Sequence, residues 1–176
     1  MQKIIVLFII AASLLSCQEK GSTANPVAID TVKEKSAIAN MLDSFNVAAA
    51  KADYNRYFSF YADGATFIGT DATEHWDKEA FMKWSKQFFD RGKAWNFTAI
   101  DRHIYFGNHP DIAWFDELLN TQMKICRGSG VVVKEDSVWK VKQYVLSMTF
   151  PNEKIDDVLP LKAPIEDSLI KVMSKK

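Results

Sequence analysis

Two cysteines and three histidines in 176 residues leave little from which to build a disulfide framework or a metal centre. His75, His103 and His109 stand far apart and lack the i, i+4 spacing that two ligands on one helix need. No charge excess is present either. The 22 basic side chains match the 22 acidic ones, so the electrostatic footprint of a nucleic-acid binder is missing. No internal repeat occurs, and Gly128 and Gly130 are not followed by the GxGxxG spacing of a dinucleotide site. The apolar run Ile4–Leu15 falls short of the roughly 20 residues that span a bilayer. What the chain does have is apolar and aromatic mass. Hydrophobic residues make up 48% and aromatic residues 12%, which marks a globular chain of one-domain size rather than a disordered one.

The N-terminus orders its parts in a definite way. Lys3 gives a positive start, Ile4–Leu15 is a short apolar stretch, and Leu14-Leu15-Ser16 places small and apolar residues before Cys17. These are the parts of an export signal. With the cysteine they resemble a bacterial lipoprotein signal over residues 1–16, which implies cleavage before Cys17, a diacylglycerol on its thiol and acylation of the new amine. Each buried methylene contributes about 0.8 kcal/mol, and durable anchoring needs more than one chain. The expected mature protein is therefore anchored to a membrane of the bacterial cell envelope, periplasmic or surface-facing, without spanning it. Loss of Lys3 leaves 21 basic against 22 acidic side chains, a net charge of −1. With Cys17 lipidated, Cys126 has no disulfide partner. Residues 17–30 are polar, include Gly21 and Pro26 and have no apolar period. They are expected to form a tether whose root-mean-square reach is roughly 20 Å.

Beyond the tether, Ile38, Met41, Leu42, Phe45, Ala48, Ala49 and Ala52 keep the spacing of one helical face from about Thr31. Asp53 can cap a short second helix carrying Tyr54, Tyr57, Phe58 and Tyr61. Asp63-Gly64 breaks it, Ala65–Gly69 is a short strand, and residues 70–74 form a loop. Asp77 can cap a third helix with Phe81, Trp84, Phe88 and Phe89, stopped at Gly92. From there the period changes to two. Strands are expected over Trp95–Tyr105, Ile112–Gln122, Ile125–Val133 and Trp139–Thr149, and their short links imply antiparallel pairing. Helices followed by a meander is an α+β order. The domain closes near residue 153, and residues 154–176 form an extension with a short helix after Pro164.

Three helices and a curved sheet resemble the nuclear transport factor 2-like, or SnoaL-like, family. Local phrases carry the resemblance further: Tyr61-Ala62-Asp63-Gly64-Ala65-Thr66-Phe67-Ile68-Gly69, Phe89-Asp90-Arg91-Gly92-Lys93-Ala94-Trp95, Ala113-Trp114-Phe115-Asp116-Glu117 and Arg127-Gly128-Ser129-Gly130-Val131. The closing strand Trp139-Lys140-Val141 fits the same branch, whose activity is unknown. The resemblance covers about residues 31–152. It implies a cone-shaped fold, helices packed in a strongly curved antiparallel sheet, with a pocket at the open end. Family members include isomerases, dehydratases, epoxide hydrolases and non-catalytic binding domains, so fold does not fix function.

Alternation restricts the pocket lining to two sets. With a tight turn at Met123-Lys124, Trp114, Asp116, Leu118 and Asn120 share a face with Arg127, Ser129, Val131 and Val133. The opposite face carries Phe115, Glu117 and Leu119 with Cys126, Gly128 and Gly130, and a bulge would exchange the two. The first set is expected to line the pocket. Asp116 and Arg127 are then candidate catalytic residues, a carboxylate held ionised by a cation, as the resemblance implies for the epoxide hydrolases of this fold. A cross-strand pair without chemistry is the plainer alternative. Asp101 is a possible third member, and His103 a candidate base or a solvated strand histidine. Trp76 and Trp95 flank the third helix and can roof the mouth, or serve as core. Val145 stands where relatives often carry a histidine. The expected function is small-molecule binding in an aromatic-lined pocket, with a hydrolase, isomerase or dehydratase as alternative and a dimerisation module as a third. The expected partners are a small molecule, a membrane through the lipid alone and possibly a second copy; neither cofactor, metal nor nucleic acid is expected.

Overall fold

A computed structural model of the chain describes residues 30–175. The export signal, Cys17 and nearly all of the expected tether lie outside the described residues. Helix α1 (Thr31–Ala50) opens on Asp30, whose carboxylate accepts from the Lys33 amide at 3.1 Å. The predicted apolar face is the buried one: Ile38, Met41, Leu42, Phe45, Ala48 and Ala49 are all shielded. At about 1.5–3 kcal/mol for a fully buried large side chain, packing rather than helix propensity fixes this helix in place. Asp53 caps the short α2 (Tyr54–Ser59) through the Arg56 amide. Asp77 caps α3 (Lys78–Asp90) through the Ala80 amide at 2.7 Å. Both caps stand where the sequence places them.

Six strands form one sheet: β1 (Tyr61–Ile68), β2 (His75–Asp77), β3 (Thr98–Phe106), β4 (Ile112–Thr121), β5 (Lys124–Glu135) and β6 (Val138–Met148). Their order is β2-β1-β6-β5-β4-β3. From β3 to β6 the sheet is the expected antiparallel meander. β1 departs from it by running parallel to β6, with a register shift between Tyr61 and Thr66. The first strand thus begins at Tyr61, four residues before its predicted start. The segment read as a loop also ends in a strand, the short β2 paired with β1.

The sheet wraps α1, and its concave side is filled with aromatic rings. Phe45 stacks on Tyr57 at 4.4 Å and meets Tyr61 edge-on at 5.4 Å. Phe67 lies on Phe81 at 4.1 Å with the planes 8° apart. After Pro151 a 3-10 turn leads into α4 (Ile155–Met173). This helix is longer than the short one expected after Pro164, and it runs through both Pro160 and Pro164. None of its residues is buried. No helix among the described residues is long and apolar enough to cross a membrane.

Candidate functional site

β4 and β5 join through Gln122-Met123, so Thr121 pairs with Lys124 and Leu118 with Arg127. The turn is one residue earlier than predicted, which moves the pairing register by two. A shift of two leaves the faces unchanged, and the two sets group as the alternation requires. Their assignment to inside and outside is the reverse of the expectation. Ala113, Phe115, Glu117, Leu119 and Cys126 are buried on the concave side, whereas Trp114 is 46% exposed and Arg127 faces solvent. The reason lies on β3 and α1. Arg102 enters the concave side and donates from Nη1 to the Ala39 carbonyl at 3.0 Å and to Asp43 at 2.9 Å, and a buried guanidinium requires a carboxylate on the facing strand.

Glu117 supplies that carboxylate. It is 1% exposed, receives Arg102 Nε on Oε2 at 2.8 Å and accepts the Tyr144 hydroxyl on Oε1 at 2.8 Å. Arg102 Nη2 lies 2.7 Å from the same Oε2, at an angle that makes it an ion-pair contact rather than a second hydrogen bond. Burial alone would push the Arg102 pKa down; Glu117 and Asp43 outweigh it and hold the guanidinium above its usual value. Burial, reinforced by the Glu117 charge, pushes the Tyr144 phenol well up. A Cβ on residue 128 would run into the Tyr144 hydroxyl and the Glu117 side chain, so Gly128 makes room for this contact. The signal for the pair was present in the sequence as one carboxylate between Phe115 and Leu119 opposite a mid-strand glycine. Its partner lies on another strand.

Of the expected site residues, Trp95 alone lines a cavity at the cone's mouth. There a cleft of about 130 Å³ lies between β1, α3 and the β4-β5 turn. Phe67, Phe81, Trp84, Trp95, Phe97 and Leu146 wall it, and Glu74, Thr70 and Gln122 contribute polar groups. Trp76 stands one layer behind, stacked on Trp84 at 5.5 Å, and its buried indole N–H has no hydrogen-bond partner. Glu74, which the sequence reading left in a loop, is the ionisable side chain of the lining.

Asp101, Trp114, Asp116 and Arg127 lie on the convex side. Asp116 and Arg127 do not pair: Asp116 accepts the Tyr105 hydroxyl at 3.1 Å and sits 3.4 Å from His103 Nδ1, and its strand partner is Ser129. His103 also lies 3.8 Å from Asp101. Trp114 stacks on Tyr105 with centroids 6.1 Å apart. Val145 points outward between the buried Tyr144 and Leu146. Among the described residues no group of three or more His, Cys, Asp or Glu side chains is placed to hold a metal.

A half-closed conical sheet wrapped on a long helix, with a cleft at its open end, defines the nuclear transport factor 2-like class of domains. The chain belongs to the SnoaL-like domain family, whose model matches residues 38–151. An NTF2-like protein of unknown function from Pseudomonas putida KT2440 superposes with a TM-score of 0.58 at 15% identity, covering 72% of this chain and 93% of that one. A putative dehydratase of the NTF2-like family from Streptomyces avermitilis gives 0.59 at 12% identity, covering 69% and 99%. A putative scytalone dehydratase from Novosphingobium aromaticivorans gives 0.57 at 16% identity, covering 68% and 87%. At such identities the likeness is one of fold. Among curated proteins no sequence matches the chain.

Proposed function

We propose that the chain is an exported, lipid-anchored domain that binds a small, largely apolar molecule in the cleft at the mouth of its cone. One observation carries this reading: the aromatic filling of the cone stops short of the mouth and leaves an apolar cleft with a few polar groups, the usual composition of a small-molecule site. Among the described residues of its lining Glu74 is the one ionisable side chain, with no histidine, cysteine or lysine beside it to complete a proton-transfer or nucleophilic pair, which favours binding over turnover. Because Trp84 and Trp95 stand in the walls, a ligand entering the cleft should quench or shift their fluorescence. A panel of single-ring compounds titrated into the full-length protein tests this, and a signal undiminished in the Trp84→Ala/Trp95→Ala double variant would count against the cleft. The anchor is tested by labelling cells with a radioactive fatty acid. Cys17→Ser should lose the label and leave the membrane fraction as a folded protein.

An enzymatic reading has one observation in its favour, the fully buried Glu117 bound to Arg102 and Tyr144, beside the likeness in fold to the two putative dehydratases. It ranks second because Phe67 lies over Tyr144, its ring centroid 6.2 Å away, between that carboxylate and the cleft. On this reading Glu117→Gln abolishes turnover while the protein stays folded. Turnover retained by folded Glu117→Gln removes it.

A further inference from the structure

We propose that the ligand of the cleft is a small organic cation, a compact ring-sized apolar body bearing an ammonium or quaternary nitrogen set against Glu74. The inference rests on the reading of the cleft as a ligand site and specifies its chemistry. Size comes first. A dry cavity of roughly 150 Å³ admits benzene, so about 130 Å³ suits a body of one ring, and anything larger would project from the open side. The walls come next. Phe81 lies 22° from the plane of Trp84 and 24° from that of Trp95, with centroids 6.0 Å and 5.8 Å away. Phe81 thus stacks with both tryptophans of the wall, and an aromatic lining of this kind is one to which a cation is attracted, to tryptophan most strongly.

Charge decides between a neutral and a cationic guest. Glu74 is the ionisable group among the lining residues. It is half-buried, and no salt bridge among the described residues includes it. Its side-chain hydrogen bond is a single long one, from the Asp71 amide to Oε2 at 3.3 Å. A neutral guest without a donor would strip water from this carboxylate and return nothing, a hydroxyl would return one hydrogen bond but no charge, and an anion would be repelled. A cation supplies the missing partner. The backbone is arranged to hold the carboxylate there. The Gly69 amide donates to the Glu74 carbonyl at 3.0 Å and closes the loop, and a Cβ at residue 69 would collide with Glu74 Oε2. Gly69 thus leaves the space into which the acid folds.

Three probes of one shape test the proposal: benzyltrimethylammonium, benzyl alcohol and benzoate, each titrated calorimetrically into the full-length protein at neutral pH. The ammonium should bind at least about tenfold more tightly than the alcohol, with benzoate weakest. Glu74→Gln should remove the preference, bringing the ammonium to the level of the alcohol. Gly69→Ala, which displaces the acid without removing it, should weaken the ammonium selectively. Equal affinities for ammonium and alcohol, or a preference that survives Glu74→Gln, overturn the cation and leave the cleft a site for neutral molecules. Failure of all three probes, with no change in tryptophan fluorescence, overturns the ligand-site reading and this one with it.

Discussion

At the base of the cone Phe45, Tyr57, Tyr61 and Tyr144 close on one another, whereas at the mouth Phe81, Trp84 and Trp95 border a cleft of about 130 Å³. Both regions are aromatic, and the difference lies in their polar atoms. At the base the Tyr57 and Tyr61 hydroxyls meet at 3.1 Å, and Glu117 accepts hydrogen bonds from Tyr144 and Arg102 and neutralises the Arg102 guanidinium, whose Nη2 makes an ion-pair contact alone. At the mouth Glu74 has no cation among the described residues, and the Trp76 N–H behind the wall has no acceptor. Buried polar groups are normally paired, and each exception asks for an explanation. Aromatic content therefore does not separate core from site in this fold. Closure of charge does: Glu117 meets its cation inside the cone, and Glu74 meets none among the described residues.

The sharpest break of this comparison is at Arg102. Arg102→Met leaves Glu117 buried without its cation, which should cost about 3–5 kcal/mol in a urea unfolding curve. Adding Glu117→Leu removes the stranded charge, and the double variant should recover most of the loss. Failure to recover would mean that the pair stabilises by more than mutual neutralisation. The alkaline limb gives the next effect. Burial, the leading cause in each case, raises the Tyr57, Tyr61 and Tyr144 phenols in the folded state. A raised pKa means that the stability is fully present below the ordinary phenol value near about 10 and is lost as pH climbs above it. Tyrosinate absorbance from these three side chains should appear only together with unfolding. Ionisation of the buried phenols in a still-folded protein would show the base to be as open as the mouth.

Substitution at the mouth should act in the opposite proportion. Trp84→Ala removes a half-buried wall and is expected to cost only about 1–2 kcal/mol, while diminishing the fluorescence response to single-ring ligands to the share reported by Trp95. A large loss of stability would place Trp84 in the core and dissolve the distinction between the two regions.

The legible parts of the molecule are those that local chemistry decides. The Asp53 and Asp77 caps, the buried face of α1 and the grouping of β4 with β5 follow from spacing alone, because each depends on neighbours a few residues away. The parallel pairing of β1 with β6 joins segments some eighty residues apart, and nothing local specifies it. Which face of β4 turns inward was equally hidden. The convex set mixes Trp114, Leu118, Val131 and Val133 with Asp116, Asn120, Arg127 and Ser129, and the concave set mixes Phe115, Leu119 and Cys126 with an acid and two glycines, so composition does not separate them. Only the reach of Arg102 to Ala39 and Asp43 settles the matter, and that contact links β3 to α1. Of the cleft, Trp95 was anticipated. Glu74 was missed because it became part of a site only when the β1-β2 connection folded it over Gly69.

A third polar closure, at the rim between α1 and the β5-β6 hairpin, calibrates how much such pairing contributes where solvent is near. Glu34 accepts Lys134 Nζ at 2.8 Å and the Trp139 indole N–H at 2.6 Å, joining residues about a hundred positions apart. The Lys134 hydrogen bond first, and the Trp139 hydrogen bond after it, hold the Glu34 carboxyl below its usual range. A depressed pKa places the stabilising contribution above the ordinary glutamate value near about 4.3, and it is lost as pH falls through the lower folded-state value. At about 1 kcal/mol the effect corresponds to a shift of roughly 2–4 °C in Tm for a chain of this size. Glu34→Gln should therefore melt a few degrees below the parent at neutral pH, and the two curves should converge in acid. A gap that persisted down to pH ~3, below the ordinary carboxylate range, would show that Glu34 acts through shape and packing. In that case the rim would resemble the mouth more than the base, and charge closure would be confined to the interior around Glu117.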